Sequence, residues 1–381
     1  MNLGRKLTVM QLLPALESGG VERGTVEISR ALREQGYESI VVSAGGQLVT
    51  ELNEMGAEHI SWEIGKKSLI TLKYVYKLRK YLLSRKVDIL HARSRLPAWI
   101  GWLAWKSLPK DKRPHFVTTV HGLYSVKKYS SIMTWGEQVI AVSDTAKKYI
   151  TDNYPEVDNS KISVINRGVD PLQFPYDYKP GETWLAVWYE QYPQLRDRKV
   201  ITLPGRLTRL KGHEDFIALM SKLRKKGVDV YGLIVGAEDP HRLAYRDEIK
   251  SKIRNADLQD RIILTGHRGD IREVYAVSDI ILSLSSKPES FGRTTLEALS
   301  MGVPVVGYDH GGVGEILRNI YPQGCVHTHM VHDLADKVMS LLDNAPPVSQ
   351  NHPYQLENML TETLELYANL ANDMPSSVNV V

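Results

Sequence analysis

The chain has one cysteine, Cys325, so no intramolecular disulfide can form and a reducing compartment is the natural setting. Long apolar runs are also lacking. No stretch approaches the roughly 20 residues that a membrane-spanning helix needs. The first twenty residues, MNLGRKLTVMQLLPALESGG, hold too short an apolar run for a secretory signal and read better as a first strand. Their glycine turn lacks the G-x-G-x-x-G spacing of a dinucleotide fold, which disfavours an oxidoreductase. What is present, 43% hydrophobic and 24% charged residues in a chain of 381, suits a globular protein of two domains in the cytoplasm.

Acidic residues are scarce in one region. The net charge is only +4, yet residues 62–135 carry sixteen Lys and Arg against Glu63, Asp88 and Asp111. Such an excess implies an anionic partner surface. Within it, residues 66–86 place Leu69, Ile70, Leu72, Val75, Tyr76 and Leu78 among lysines and arginines, and Trp99, Trp102 and Trp105 follow three apart. This surface suits either anionic lipid headgroups on the inner face of a membrane or a phosphorylated glycan. The plainer alternative is a helix packed by its apolar side, with a tryptophan row in the core. No nucleic-acid-binding motif is present, and none is expected as a partner.

Strand-like and helix-like segments alternate through the first half, which predicts an α/β fold with a parallel sheet covered on both faces. Ligands of such sheets bind beyond the carboxyl ends of the strands. His91, Arg93, Arg95, His121 and Ser143 fall there. Gly19 and Gly20 open the helix expected at 21–35 and leave amides free for a phosphate or a sugar, although a plain helix start would look the same. His121, next to Gly122 at a strand end, is by residue type more often structural than catalytic.

The chain is organised around residues 286–315, SKPESFGRTTLEALSMGVPVVGYDHGGVGE, which follow an apolar strand-like run. Glu289 lies in the loop and Glu297 about one turn into the next helix. Gly292 permits close backbone approach, and the amides around Phe291, Gly292, Arg293 and Thr294 at that helix start attract an anion. Carboxylates at either side of an anion site suit a ligand with hydroxyls at its ends and phosphates between, as a nucleotide sugar has. Upstream, Gly205, Arg206, Lys211 and Gly212 place a guanidinium and an ammonium where they converge on a diphosphate.

The whole 286–315 string, with the G-R-x5-G of residues 205–212, resembles the signature of retaining glycosyltransferases of family 4, which have the GT-B fold. The resemblance implies two Rossmann-like domains facing a central cleft, with a C-terminal helix crossing back to the first domain. The boundaries expected are 1–180 for an acceptor domain, 195–352 for a nucleotide-sugar domain and 353–381 for the helix. It further implies that Arg206 and Lys211 bind the leaving diphosphate, that Glu289 accepts from sugar hydroxyls and Glu297 from the ribose, and that His121 holds the transferred sugar. His267 and Arg268 fall where the family binds the base, and Gly19 and Gly20 where donor and acceptor meet.

No cofactor is expected beyond the donor substrate, and no metal, since no D-x-D pair occurs. The acceptor expected is a glycan or a lipid-linked glycan; the strings HARSR at 91–95 and HGLY at 121–124 look most like enzymes of bacterial lipopolysaccharide assembly. A nucleotide-sugar epimerase or hydrolase, or a donor-binding protein without catalysis, are the competing readings.

Overall fold

A computed structural model of the chain describes residues 6–17, 19–237 and 243–372, and the frayed end expected at 375–381 lies outside the described residues. The chain divides into two compact units. Unit 1 is built from the chain up to Asn166 together with the chain from Glu357 onward, and unit 2 from Arg167–Leu356.

Unit 1 holds a parallel sheet of β1 (Thr8–Leu12), β2 (Glu38–Ser43), β3 (Glu58–Ser61), β4 (Ile89–Ala92), β5 (His115–Val120), β6 (Gln138–Ala141) and β7 (Ile162–Val164), in the order β3-β2-β1-β4-β5-β6-β7. Its helices are α1 (Gly20–Glu34), α2 (Val49–Glu54), α3 (Lys73–Arg85), α4 (Arg95–Lys106), the short α5 (Lys128–Ser131) and α6 (Asp144–Asn153). Val9, Met10, Leu12, Ile40, Val41 and Val42 are all buried, as strands covered on both faces require. From β1 the chain winds one way through β2 and β3. It then crosses to β4 and winds the other way, so a crevice opens where β1 and β4 end.

The first helix of unit 2 is α7 (Glu182–Gln191), in the stretch between the two expected domains, 1–180 and 195–352. Trp188, Tyr192 and Leu195 from this segment pack on Val200, Leu233, Val235 and Val274, so it is part of the unit's core. The boundary therefore falls at residue 166, before the expected 180. The sheet consists of β8 (Lys199–Pro204), β9 (Val230–Val235), β10 (Ile262–Gly266), β11 (Ile280–Ser283), β12 (Val305–Tyr308) and β13 (Cys325–Val326), in the order β10-β9-β8-β11-β12-β13. The helices are α8 (His213–Lys225), α9 (Leu243–Asn255), α10 (Ile271–Ala276), α11 (Arg293–Ser300), α12 (Gly311–Ile320) and α13 (Val331–Asp343). Here the winding reverses between β8 and β11.

The last helix, α14 (Leu356–Asn372), belongs to unit 1. Its Tyr367 is fully buried with its hydroxyl 2.5 Å from His91 Nδ1, and His91 Nε2 lies 2.6 Å from Thr119 Oγ1. Burial, with Arg93 nearby, drives the His91 imidazole well below its usual pKa. His91 is thus a neutral core residue and not part of a ligand site. Among the described residues, no helix is long and apolar enough to cross a membrane.

Candidate functional site

The reversal point of unit 2 brings together the loops after β8 and β11, which lie far apart in sequence. Gly205 follows β8 with φ +142° and Gly212 ends a 3-10 turn, Arg209–Lys211, with φ +75°. A Cβ on Gly212 would stand 2.0 Å from the Leu284 carbonyl oxygen, so glycine is what lets the two loops touch. The consequence is an ion pair. Lys211 Nζ lies 2.7 Å from Glu289 Oε1, both side chains are half-buried, and the Ser285 hydroxyl donates to the same carboxylate oxygen.

Burial would raise the Glu289 carboxyl, but the Lys211 charge, hydrogen bonds from Lys211 and Ser285, and nearby His310 outweigh it and hold the group below its usual range. Arg206 is exposed at the end of β8, and among the described residues no carboxylate pairs with it. One cation is therefore tethered and one is available to a ligand.

The loop carrying Glu289 is pinned from behind. Gly312 N donates to Glu289 O at 2.8 Å, and the His310 ring lies 2.8 Å from Ser285 O. Gly292, at φ +115°, is the N-cap of α11 and has no side chain to cover the helix start. Phe291, expected near the ligand, turns its ring into the core against Tyr354, so only its backbone is available at the site.

Thr294 is partly exposed on the first turn of α11. Glu297, one turn on, is buried at 8% exposure: Arg293 Nε donates to one oxygen at 2.8 Å and the Tyr275 hydroxyl to the other at 3.3 Å. Arg293 is thereby the fixing partner of Glu297, and a hydroxyl donating to Glu297 shares an oxygen already bonded.

At the end of β10, Gly266 has φ +73°, and His267 after it is exposed. Arg268 forms a two-pronged pair with Asp270 and lies over the Trp188 ring at 5.2 Å, while Trp184 Nε1 donates to Asp270 Oδ2 at 2.7 Å. The loop is therefore propped by α7. Asp270, Trp184 and Trp188 were not among the candidates from sequence; the tryptophans' spacing of four was the signal available.

In unit 1, Gly19 caps α1 and Gly20 begins it at the carboxyl end of β1. A Cβ on Gly19 would stand 2.3 Å from the Glu22 carboxylate, which leans over the helix start. His121 follows β5, half-buried at the same rim. Arg93 is buried and donates to Gln11 Oε1 at 3.1 Å, and Ser143 caps α6 by accepting from Ala146 N. Both therefore support the rim from inside.

Two family models match the chain: Glycosyltransferase Family 4 over residues 18–172 and Glycosyl transferases group 1 over residues 188–357. The crystal structure of a glycosyltransferase from Rickettsia africae ESF-5 is similar at 32% identity and TM-score 0.84, over 97% of this chain and 100% of that one. N-acetyl-alpha-D-glucosaminyl L-malate synthase of Bacillus anthracis is 26% identical over 321 residues, 80% of this chain and 79% of the relative. Anabaena Alr3699/HepE in complex with UDP and glucose is 18% identical with a TM-score of 0.78, over 95% of this chain and 100% of that one, a likeness of fold. Two doubly wound units, a C-terminal helix returned to the first, and these matches place the chain in glycosyltransferase family 4, with the GT-B fold.

Proposed function

We propose that this glycosyltransferase moves a sugar from a nucleoside-diphosphate donor to a glycan or lipid-linked acceptor of the bacterial envelope, lipopolysaccharide included, with retention at the anomeric carbon and no resident metal. The observation that carries the reading is the Lys211–Glu289 pair, 2.7 Å apart, beside the exposed Arg206 at the reversal point of unit 2. The diphosphate lies against Arg206, Lys211 and the amides at the start of α11, with Glu289 receiving sugar hydroxyls and Glu297 a ribose hydroxyl. The base lies along the loop with His267, which Arg268 and Asp270 keep rigid. Unit 1 receives the acceptor, with Gly19 and Gly20 at its rim and His121 steadying the sugar.

As the bond from C1 to the phosphate oxygen breaks, negative charge grows on the diphosphate, and the two cations stabilise it. The acceptor oxygen bonds to C1 from the face that the phosphate leaves, and its proton passes to the departing phosphate oxygen. This order of events gives retention without a covalent glycosyl carboxylate. Trapping a glycosylated Asp or Glu by mass spectrometry during turnover would refute it.

The bound UDP and glucose in the Anabaena neighbour make uridine-diphosphate hexoses the first donors to test. A panel of nucleotide sugars is followed by nuclear magnetic resonance for binding and slow hydrolysis, with wild type beside Lys211→Ala. Selective binding of one donor, lost in the variant, is expected. Binding of none by the folded protein would leave a chain without donor chemistry. Lipid-linked glycans are then compared as acceptors with L-malate, the small acceptor in the Bacillus relative's name, and preference for malate would overturn the envelope reading.

A further inference from the structure

Unit 1 exposes large apolar side chains where a buried face would be expected. Leu69 is 86% exposed, Ile70 69%, Leu72 52% and Tyr76 71%, all in the 3-10 turn Leu69–Leu72 and the first turn of α3. Val126 and Tyr129, at 53% and 38%, form a second set at the start of α5. Both sets leave the carboxyl ends of strands on the same side of the sheet. The chain winds in one direction from β3 through β4 to β6, and right-handed crossovers then put α3, α4 and α5 on one face. Between the two sets stands α4, whose Trp99 Nε1 donates to Tyr129 O at 3.0 Å and whose Arg95 lies over the Tyr129 ring at 5.5 Å.

The charges around these side chains are of one sign. Lys66, Lys67, Lys73, Lys77, Lys127 and Lys128 are all exposed, and no acid occurs in residues 66–77 or 125–131. Glu63, the acid nearest in sequence, lies 3.5 Å from the Lys66 ammonium. Six exposed apolar side chains set among six exposed ammonium groups, of which Lys66 is paired with Glu63, match the two layers of an anionic bilayer surface, headgroup charge outside and acyl chain beneath. A soluble anion would leave the apolar set in water, and a self-association face of this charge would bring lysines against lysines.

We infer that this rim of unit 1 docks onto the interface of an anionic membrane, with Leu69, Ile70 and Leu72 entering the acyl boundary and the lysines resting on headgroups. The same rim carries His121, so docking presents unit 1's carboxyl edge to lipid-linked molecules. The inference stands on unit 1 alone and is measured without donor or acceptor, so its failure would leave the transfer reaction untouched.

The test is co-flotation of the full chain with vesicles of phosphatidylcholine alone or mixed with phosphatidylglycerol. Binding is expected only to the mixed vesicles and should weaken with salt. Lys66→Gln with Lys67→Gln and Lys73→Gln should lower it roughly 100-fold, and Leu69→Ser with Ile70→Ser and Leu72→Ser at least about tenfold. Val126→Ser with Lys127→Gln and Lys128→Gln is an independent third variant should either of the others fail to fold. Absence of wild-type binding, equal binding to neutral vesicles, or variants that bind as wild type would overturn the inference. So would a wild-type dimer that the leucine variant converts to monomer, since the face would then be a subunit contact.

Discussion

Lys211 and Glu289 depend on each other. The ammonium satisfies a half-buried carboxylate, and in the proposed reaction it also faces the donor's diphosphate. Lys211→Ala should lower kcat by roughly 10²–10³-fold, the loss typical when one fixed group facing transition-state charge is removed. Glu289→Gln keeps the shape but removes the charge. Single-turnover kinetics should show a smaller fall for it, because an amide still accepts from a sugar hydroxyl. Equal loss in the two variants would mean that the pair acts only as a brace.

A second residue-scale effect concerns pH. His213, at the start of α8 beside this pair, is buried, and burial pushes its pKa down to about 4, against a backbone contact with Thr208 and with the Lys211 charge adding to the fall. Between its usual value of 6.5 and about 4, the unfolded chain binds a proton that the folded chain refuses, so stability is full above 6.5 and declines as pH falls through that window. The loss should reach about 3 kcal/mol. Denaturation midpoints from pH 7 to pH 4 should therefore fall less steeply in His213→Gln than in wild type. A parallel decline in both would remove His213 from the account.

At the scale of elements, what decides the site is whether the loops after β8 and β11 can touch. Gly212→Ala forces a left-handed φ on alanine, a cost of about 1–2 kcal/mol, and sets its Cβ against the Leu284 carbonyl. Gly227 has nearly the same φ, +76°, and nothing within 4 Å of its Cβ position, so Gly227→Ala carries the conformational cost alone. Gly212→Ala should be clearly the less stable in urea and should lose donor binding, while Gly227→Ala keeps it. Equal stabilities would show that the loops yield to the extra atom.

These elements also mark what sequence makes legible. The strand runs and the 286–315 string are local signals, and they locate the sheets, the start of α11 and both glutamates of the candidate site. The props under the loop at 265–270 are not local. Arg268 and His267 look alike in sequence, yet one is held by Asp270 and Trp188 and the other is exposed, and that difference depends on α7 packing some eighty residues away. Phe291 is a related case: the sequence offers its amide at the start of α11, but burial of its ring against Tyr354 is a tertiary outcome.

On the scale of the molecule, the chain leaves unit 1 after Asn166, builds unit 2, and returns with α14 to complete unit 1. The return is fastened by a buried hydrogen bond between residues 276 positions apart, Tyr367 and His91, which sequence order hides. Tyr367→Phe leaves a buried imidazole nitrogen without that partner and should cost about 1–3 kcal/mol. Truncation after Leu356 should do more, because unit 1 then loses a whole packed helix while unit 2 keeps all of its residues. Calorimetry should show the unit 1 transition moving down or vanishing, and nuclear magnetic resonance should still detect donor binding by unit 2. If the truncated chain melted as wild type does, α14 would be an appendage and not part of the core of unit 1.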